Sequence, residues 1–242
     1  MRTLLGRRAV VIGAGIGGLS AAGALAEHFD LVEIFERDRL AGSACSRSGT
    51  PQDRHPHGLL AGGLKALGDV FPGFERDLAR AGAVPLTFAR DVQYERPDVG
   101  VLPRRDFGIQ VLCATRPLIE LVLRRRTETI ANVVLRSGCR VTEIVLDAAG
   151  VRGIRFDAGS GQSEMLEADL VIDASGRGAP ISALFDALGR ENPAVTEIGI
   201  DVRYASAMVQ FPRDALPDWK ILLTQPHPPS IAVYAVLLHG RR

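Results

Sequence analysis

The sequence predicts an α/β fold with a parallel central sheet, a β-meander crossover and a partial β-rich region toward the C-terminal end. Three observations carry this. From Val10 to Asp38, "VVIGAGIGGLSAAGALAEHFDLVEIFERD" runs through an apolar strand, a glycine turn, a helical period and a second apolar strand within about thirty residues. Between Asn132 and Asp173, apolar β runs are punctuated by Ser-Gly, Ala-Gly and Gly-Ser-Gly, the pattern of a meander. At the end of that meander, "DLVIDASGRGAP" again feeds an apolar strand into a glycine-rich turn.

In chain order, "RAVVIG" is a short, fully apolar run suited to a buried parallel strand. From Ile16 the period changes. Ile16, Leu19, Ala22 and Leu25–Ala26 recur at helical spacing, with the helix ending near His28. "LVEIFE" then returns to β character. The turn between strand and helix has the spacing G-x-G-x-x-G. Gly13 permits the tight turn, Gly15 lets the backbone approach a pyrophosphate, and Gly18 lets helix and strand pack closely. The free N–H groups and dipole at the helix start favour phosphate oxygens. Glu36, closing the second strand, is placed to accept hydrogen bonds from an adenosine ribose. In this strand–helix–strand–acid setting the glycines point to dinucleotide binding. An acid at position 36 favours FAD or NAD over NADP at this turn and does not separate the first two.

The next stretch departs from a nicotinamide-binding dehydrogenase, where a second βα unit would follow soon. Instead a long Gly/Ser/Pro-bearing loop leads to a helix with an apolar face of Leu59, Leu60, Leu64, Leu67 and Val70, ended by Pro72-Gly73. A second amphipathic piece runs from Phe74 to Arg80. "VPLTFARDVQYE" and "FGIQVLCAT" read as strands, and "RPLIELVLRRRTETI" as a helix with Pro117 in its first turn. From Ile198 onward, "IGIDVRYASAMVQF" and "SIAVYAVLL" read as strands in a proline-bearing tail.

Bulk composition excludes several function classes. Lys and Arg number 29 against 28 Asp and Glu, so there is no strong basic field for nucleic acid. Cys45, Cys113 and Cys139 are too few and too scattered for a disulfide framework, and reduced thiols point to a cytoplasmic location. The longest apolar run, Ile231–Leu238, falls short of the ~18–20 residues a membrane span needs, so stable membrane insertion is not expected. Arg2, Arg7, Arg8 and the "ALA" at 24–26 mimic a secretion signal, but glycines at 13, 15, 17 and 18 weaken its apolar helix.

Four features in sequence resemble the FAD-dependent monooxygenases of the aromatic-hydroxylase superfamily. They are the glycine turn with Glu36-Arg37, the "R-P-L-I-E" helix start at Arg116, the β-meander, and the "D-A-S-G-R-G" turn at 173–178. Within that superfamily, "RSGTPQDRHPHGLLAGGLKAL" is similar to the branch with squalene-type and polyether epoxidases. The resemblance implies an FAD/NAD(P)-binding Rossmann-like fold. It puts the ADP half of FAD on Gly13, Ala14, Gly15, Ile16 and Gly18, with Glu36 at the ribose and Arg37 beside the adenine. It also implies that Arg116 reaches the cofactor near its phosphates, that the Val141 backbone flanks the adenine, and that Arg47 sits in the loop near the ribityl chain and flavin. Asp173 is either a cofactor-site residue or an acid that hydrogen-bonds its own turn.

Two departures stand out. Ser175 occupies the aspartate position of the family's usual "G-A-D-G" turn. The family's later "G-D-A" motif, whose aspartate binds the ribityl chain, is absent, which implies a chain shortened at its C-terminal end. His55, His57 and Asp53 suggest a metal site but lack a third ligand with convincing spacing; histidines packing in a loop near flavin or substrate are the favoured reading. Cys45 reads as a small neutral side chain in the cofactor loop, and Arg124–Arg126 as solvent-facing charge.

The resemblance implies NAD(P)H- and O2-dependent oxygenation, as hydroxylase or epoxidase, of an organic small molecule. An FAD-binding domain over 1–190, with inserted substrate-side strands at about 84–111, would precede a partial substrate domain over 191–242. Self-association or a C-terminal partner fragment is expected. The other readings are a flavin-dependent reductase of the same fold, an NAD-dependent oxidoreductase, and an inactive FAD-binding fragment.

Overall fold

The computed structural model describes residues 4–148, 150–159, 161–176, 184–186, 188–201, 203–207, 210, 212, 217–227 and 234–237. The chain begins with β1 (Gly6–Ile12), α1 (Ile16–Leu25) and β2 (Phe29–Glu36). A short 3-10 turn (Pro51–Arg54) leads to β3 (Pro56–Leu59), α2 (Ala61–Val70), α3 (Phe74–Arg80) and β4 (Val84–Thr87). Next come β5 (Val92–Arg96), β6 (Gly100–Val101), β7 (Gln110–Thr115), α4 (Arg116–Glu128) and β8 (Val133–Ser137). The meander is β9 (Arg140–Asp147), β10 (Gly150–Asp157) and β11 (Ser163–Glu167), followed by β12 (Leu170–Asp173), β13 (Ile221–Thr224) and β14 (Tyr234–Leu237).

The chain divides into two units. The first comprises Met1–Pro51 and Glu120–Arg203. Its main sheet has the order β12-β1-β2-β8, and every pairing in it is parallel. Parallel strands covered on both faces read as near-continuous apolar runs, and Ala9, Val10, Val11, Val32 and Ile34 are all fully buried. One face packs on α1 through Leu19 and Ala22. The other belongs to a cluster of Val10, Ile12 and Phe35 with Ile144, Ile154 and Phe156 of the meander. The Phe35 and Phe156 rings lie 4.8 Å apart, tilted by 59°, in the offset geometry aromatic pairs favour. The meander is antiparallel, in the order β11-β10-β9. The junction from α1 to β2 is held from a distance: the Asn132 side-chain amide donates to the carbonyls of Ala26 and Phe29, each at 2.9 Å.

The second unit comprises Gln52–Ile119 and Tyr204–Arg242. It contains an antiparallel sheet β3-β7-β4 and a mixed sheet β14-β13-β5-β6, in which β13 runs parallel to β5. Its core gathers Val84, Leu86, Val92, Val111 and Cys113, with Ile221 and Leu223 against them. Burial pushes the Cys113 thiol above its ordinary range, a neighbouring Lys220 charge notwithstanding. Asp91 joins three segments here. It accepts hydrogen bonds from the Thr87 N–H at 2.8 Å, Arg90 Nε at 3.0 Å and Lys220 Nζ at 3.1 Å.

The α/β class, the parallel sheet and the meander are as the sequence predicts. Two segments differ. Leu59 belongs to β3, and the helix starts only at Ala61, because Pro56–Leu59 alternates exposed and half-buried positions along β7. In "IGIDVRYASAMVQF" the described residues form no strand, and Ile198 and Ile200 are 86% and 78% exposed. Alternation predicts a strand only where a neighbouring strand can bury one face, and none of the described strands pairs with this segment. Val202, Met208, Val209 and Phe211 lie outside the described residues, as do Arg177 and Gly178 of the second glycine turn and all but Tyr234–Leu237 of "SIAVYAVLL".

Candidate functional site

The glycine turn is fixed by its neighbours on both sides. Gly13 has φ +98°, a conformation that side chains beyond glycine rarely adopt. Its N–H donates to the Phe35 carbonyl at 2.8 Å, and a Cβ there would lie 2.7 Å from the Ala174 carbonyl. Ala174 in turn donates its N–H to the Ile12 carbonyl at 2.9 Å. A Cβ on Gly18 would collide with the Gly13 carbonyl oxygen, which is the close helix–strand approach the spacing implies. Gly15 stands at the N-cap of α1 in an extended conformation, φ −76° and ψ −178°. No side chain caps this end and no acid occupies its first turn, while a Cβ on Gly17 would meet nothing within 4 Å. These features fit a phosphate: open space beside a helix start whose N–H groups have no competing anion.

Glu36 is buried at the end of β2 and reaches back across the turn. Its Oε2 accepts the Ala14 N–H at 2.7 Å and its Oε1 accepts the Asp38 N–H at 2.9 Å. A carboxylate has about four lone-pair positions, so these two bonds leave capacity for hydroxyl donors. The half-buried side chain of Arg47 sits beside it. Arg47 Nε and Nη2 donate to Glu120 Oε2 at 3.1 and 3.0 Å, and Nη1 donates to Asp38 Oδ2 at 3.1 Å. Nη2 also reaches the Ala14 carbonyl at 3.4 Å, and Nη1 stands 3.3 Å from Glu36 Oε2. Burial alone would lower the Arg47 pKa, but the charges of Glu120 and Glu36 outweigh it and hold it above its usual value. Burial raises and Ser48, Gly49 and Arg47 lower the Asp38 pKa, with a net result below the ordinary carboxylate value. Through Ser48 Oγ at 2.7 Å and the Gly49 N–H at 2.9 Å, Asp38 also anchors the loop that carries Arg47.

The first unit therefore brings Gly13, Ala14, Gly15, Ile16, Gly18, Glu36 and Arg47 into one place. Arg37 follows Glu36 and is exposed. Val141 is half-buried in β9 and packs against the cluster that includes Phe35. Asp173 pairs in register with Ile12 at the end of β12, and its Oδ1 accepts the Ser175 N–H at 3.0 Å. Arg116 belongs to the second unit, where it opens α4 half-buried, behind a Thr115 hydroxyl that accepts the Leu118 N–H at 3.4 Å. In the same unit His55 Nδ1 lies 2.9 Å from Ser206 Oγ, and His57 Nδ1 lies 2.8 Å from the His55 carbonyl. Among the described residues no group of three or more His, Cys, Asp or Glu is placed to hold a metal.

Two features escape a reading of the sequence. Glu120 and Asp38 complete the charge cluster, and the only signal for Glu120 is an acid inside the apolar run Ile119–Leu123 of α4. Arg124 and Arg125 donate to the carbonyls of Ala41 and Gly42, so they brace the loop after β2 as well as carrying charge.

Comparison with known proteins agrees with this geometry. The family model for FAD dependent oxidoreductases matches residues 9–191. The protein Rv3254 of Mycobacterium tuberculosis is 34% identical over 236 residues, covering 93% of this chain and 49% of that protein. The chain thus spans about half the length of the curated relative it matches. Among solved structures, PqsL, a probable FAD-dependent monooxygenase from Pseudomonas aeruginosa, superposes with a TM-score of 0.56 at 15% identity, over 79% of this chain and 48% of PqsL. A variant of 2-methyl-3-hydroxypyridine-5-carboxylic acid oxygenase superposes with a TM-score of 0.50 at 24% identity, over 72% of this chain and 40% of its own. The two structures share the fold. The uncapped glycine turn, the buried acid at its flank and the family match over residues 9–191 lead to one assignment: the chain belongs to the FAD dependent oxidoreductase family.

Proposed function

We propose that this chain carries the nucleotide-binding part of an FAD-dependent monooxygenase, a hydroxylase or epoxidase of the squalene- and polyether-epoxidase-like branch that uses NAD(P)H and O2 on an organic small molecule. The observation that carries the proposal is the turn at Gly13–Gly18 with Glu36 aimed across it, inside a chain of this family. When bound, FAD would supply the redox chemistry, by which hydride from NAD(P)H and O2 put one oxygen atom on the substrate and the other leaves as water. The chain's residues bind and orient. The turn of Gly13, Ala14, Gly15, Ile16 and Gly18 receives the ADP half of FAD, with the N–H groups at the start of α1 on the pyrophosphate. Glu36 accepts from the ribose hydroxyls, with Arg37 and Val141 at the adenine. Arg47, Arg116 and Asp173 complete the set on the phosphate and flavin sides.

In this reading residues 1–190 form the FAD-binding domain and 191–242 part of a substrate domain, which includes the strands at about 84–111. The parallel pairing of β13 with β5 supports grouping those strands with the tail. The exposed apolar side chains of Val195, Ile198 and Ile200 support self-association or a partner segment. A cytoplasmic location goes with the free thiols of Cys45, Cys113 and Cys139. Titrating the purified chain with FAD, followed by flavin fluorescence, tests the proposal. Saturable quenching that ADP competes away is expected, and its absence would overturn the reading.

A further inference from the structure

Arg47 is one cation among three carboxylates, those of Glu36, Asp38 and Glu120. The three contacts differ in kind. Glu120 takes two N–H donors of the guanidinium and Asp38 takes one, whereas Glu36 has an ion contact at 3.3 Å and spends its hydrogen bonds on the N–H groups of Ala14 and Asp38. Glu120 stands on α4 and is buried. Arg47 stands on the loop that follows β2, held there through Asp38. The helix carboxylate therefore decides where the loop guanidinium rests. Without it, Nε and Nη2 lose this acceptor, the Ala14 carbonyl stands at a longer 3.4 Å from Nη2, and Glu36 is a carboxylate already within 3.3 Å of the guanidinium. Guanidinium–carboxylate pairs close into two-bond forks when they are free to do so. A fork on Glu36 would occupy the lone pairs that a ribose diol requires.

We propose that Glu120 is a positioning residue for nucleotide binding: it holds the Arg47 guanidinium so that Glu36 stays open to the two ribose hydroxyls. The inference rests on the dinucleotide reading of the Gly13–Glu36 site.

The test compares ADP with 2′,3′-dideoxyadenosine 5′-diphosphate, which keeps the phosphates and lacks the diol. Calorimetric titration of the parent chain, Glu120→Leu, Arg47→Met and the double variant gives the affinities, with circular dichroism confirming the fold. Glu120→Leu should weaken ADP about 10-fold, the loss of one charge-assisted hydrogen bond. It should change the dideoxy ligand less than about twofold, and in the Arg47→Met background the same Glu120→Leu substitution should no longer separate the two ligands. Equal losses for both ligands, or the same ligand-selective loss with and without Arg47, would make Glu120 merely structural and overturn the inference. If Glu120→Leu does not fold, Glu120→Gln carries the same comparison of the two ligands. A parent chain that binds neither ADP nor FAD overturns the dinucleotide reading and this inference with it. A parent that binds both and is unmoved by Glu120 substitution overturns this inference alone.

Discussion

Glu36 ties the glycine turn to the end of β2, and in the proposed function it also offers oxygen to the ribose. Glu36→Ala should weaken FAD binding by ~1.5–3 kcal/mol, the scale of a charged hydrogen bond, as read by fluorescence titration. Unchanged affinity would remove Glu36 from the site. The glycines separate binding from folding more cleanly. Gly15 has an extended backbone that any residue can adopt, so Gly15→Val should leave thermal stability nearly unchanged while abolishing flavin retention. Gly18→Ala should do the reverse first, lowering the melting temperature, because its Cβ meets the Gly13 carbonyl backbone. A valine variant that purifies with full FAD would show that the turn is not the phosphate site. These residues were legible in the sequence because glycine spacing records a backbone constraint that is complete within six residues. Glu120 was not, since an acid on a helix gains its meaning only when a loop some seventy residues earlier brings Arg47 to it.

At the scale of elements, what could be read was what local pattern determines. The βαβ unit, α3 and the meander follow from periodicity and turn residues, and they stand where the pattern puts them. Strand β13 was hidden in the proline-bearing tail because "ILLT" is too short to show a period, and its place is set by β5, far away in sequence. The described residues of the strand expected after Ile198 form none for the complementary reason, having alternation without pairing to any described strand. Asp91 shows how β13 is secured. Burial pushes its pKa upward, but hydrogen bonds from Arg90, the Thr87 N–H and Lys220, with the Lys220 charge, bring it down from 3.8 to about 2. A carboxyl with a depressed folded pKa stabilises the fold above its unfolded pKa and loses that contribution as the pH falls through the folded one. The parent should therefore lose stability between about pH 4 and pH 2, and Asp91→Asn should flatten that slope while costing about 1–3 kcal/mol at neutral pH. Chemical denaturation across that pH range would read both effects, and identical slopes would exclude Asp91 as their source.

For the whole molecule, the parallel sheet sets an order of events in time. β1 pairs on one side with β2, which follows it at once, and on the other with β12, which begins at Leu170. The Gly13 turn is bounded by both neighbours: the Phe35 carbonyl comes early and Ala174 comes late. A chain emerging from the ribosome thus carries its glycine motif without the wall that closes it until Ala174 has been made. Contacts so distant in sequence form slowly, because the loop must be closed before they contribute. Nascent chains arrested before residue 170 should fail to capture ADP, and chains arrested well past residue 190, with β12 clear of the exit tunnel, should gain that ability in a single step. Capture by the shorter chains would show that β2 alone completes the turn. A cell making this protein would then commit cofactor to it only after β12 has been made, long after the glycine motif itself has left the ribosome.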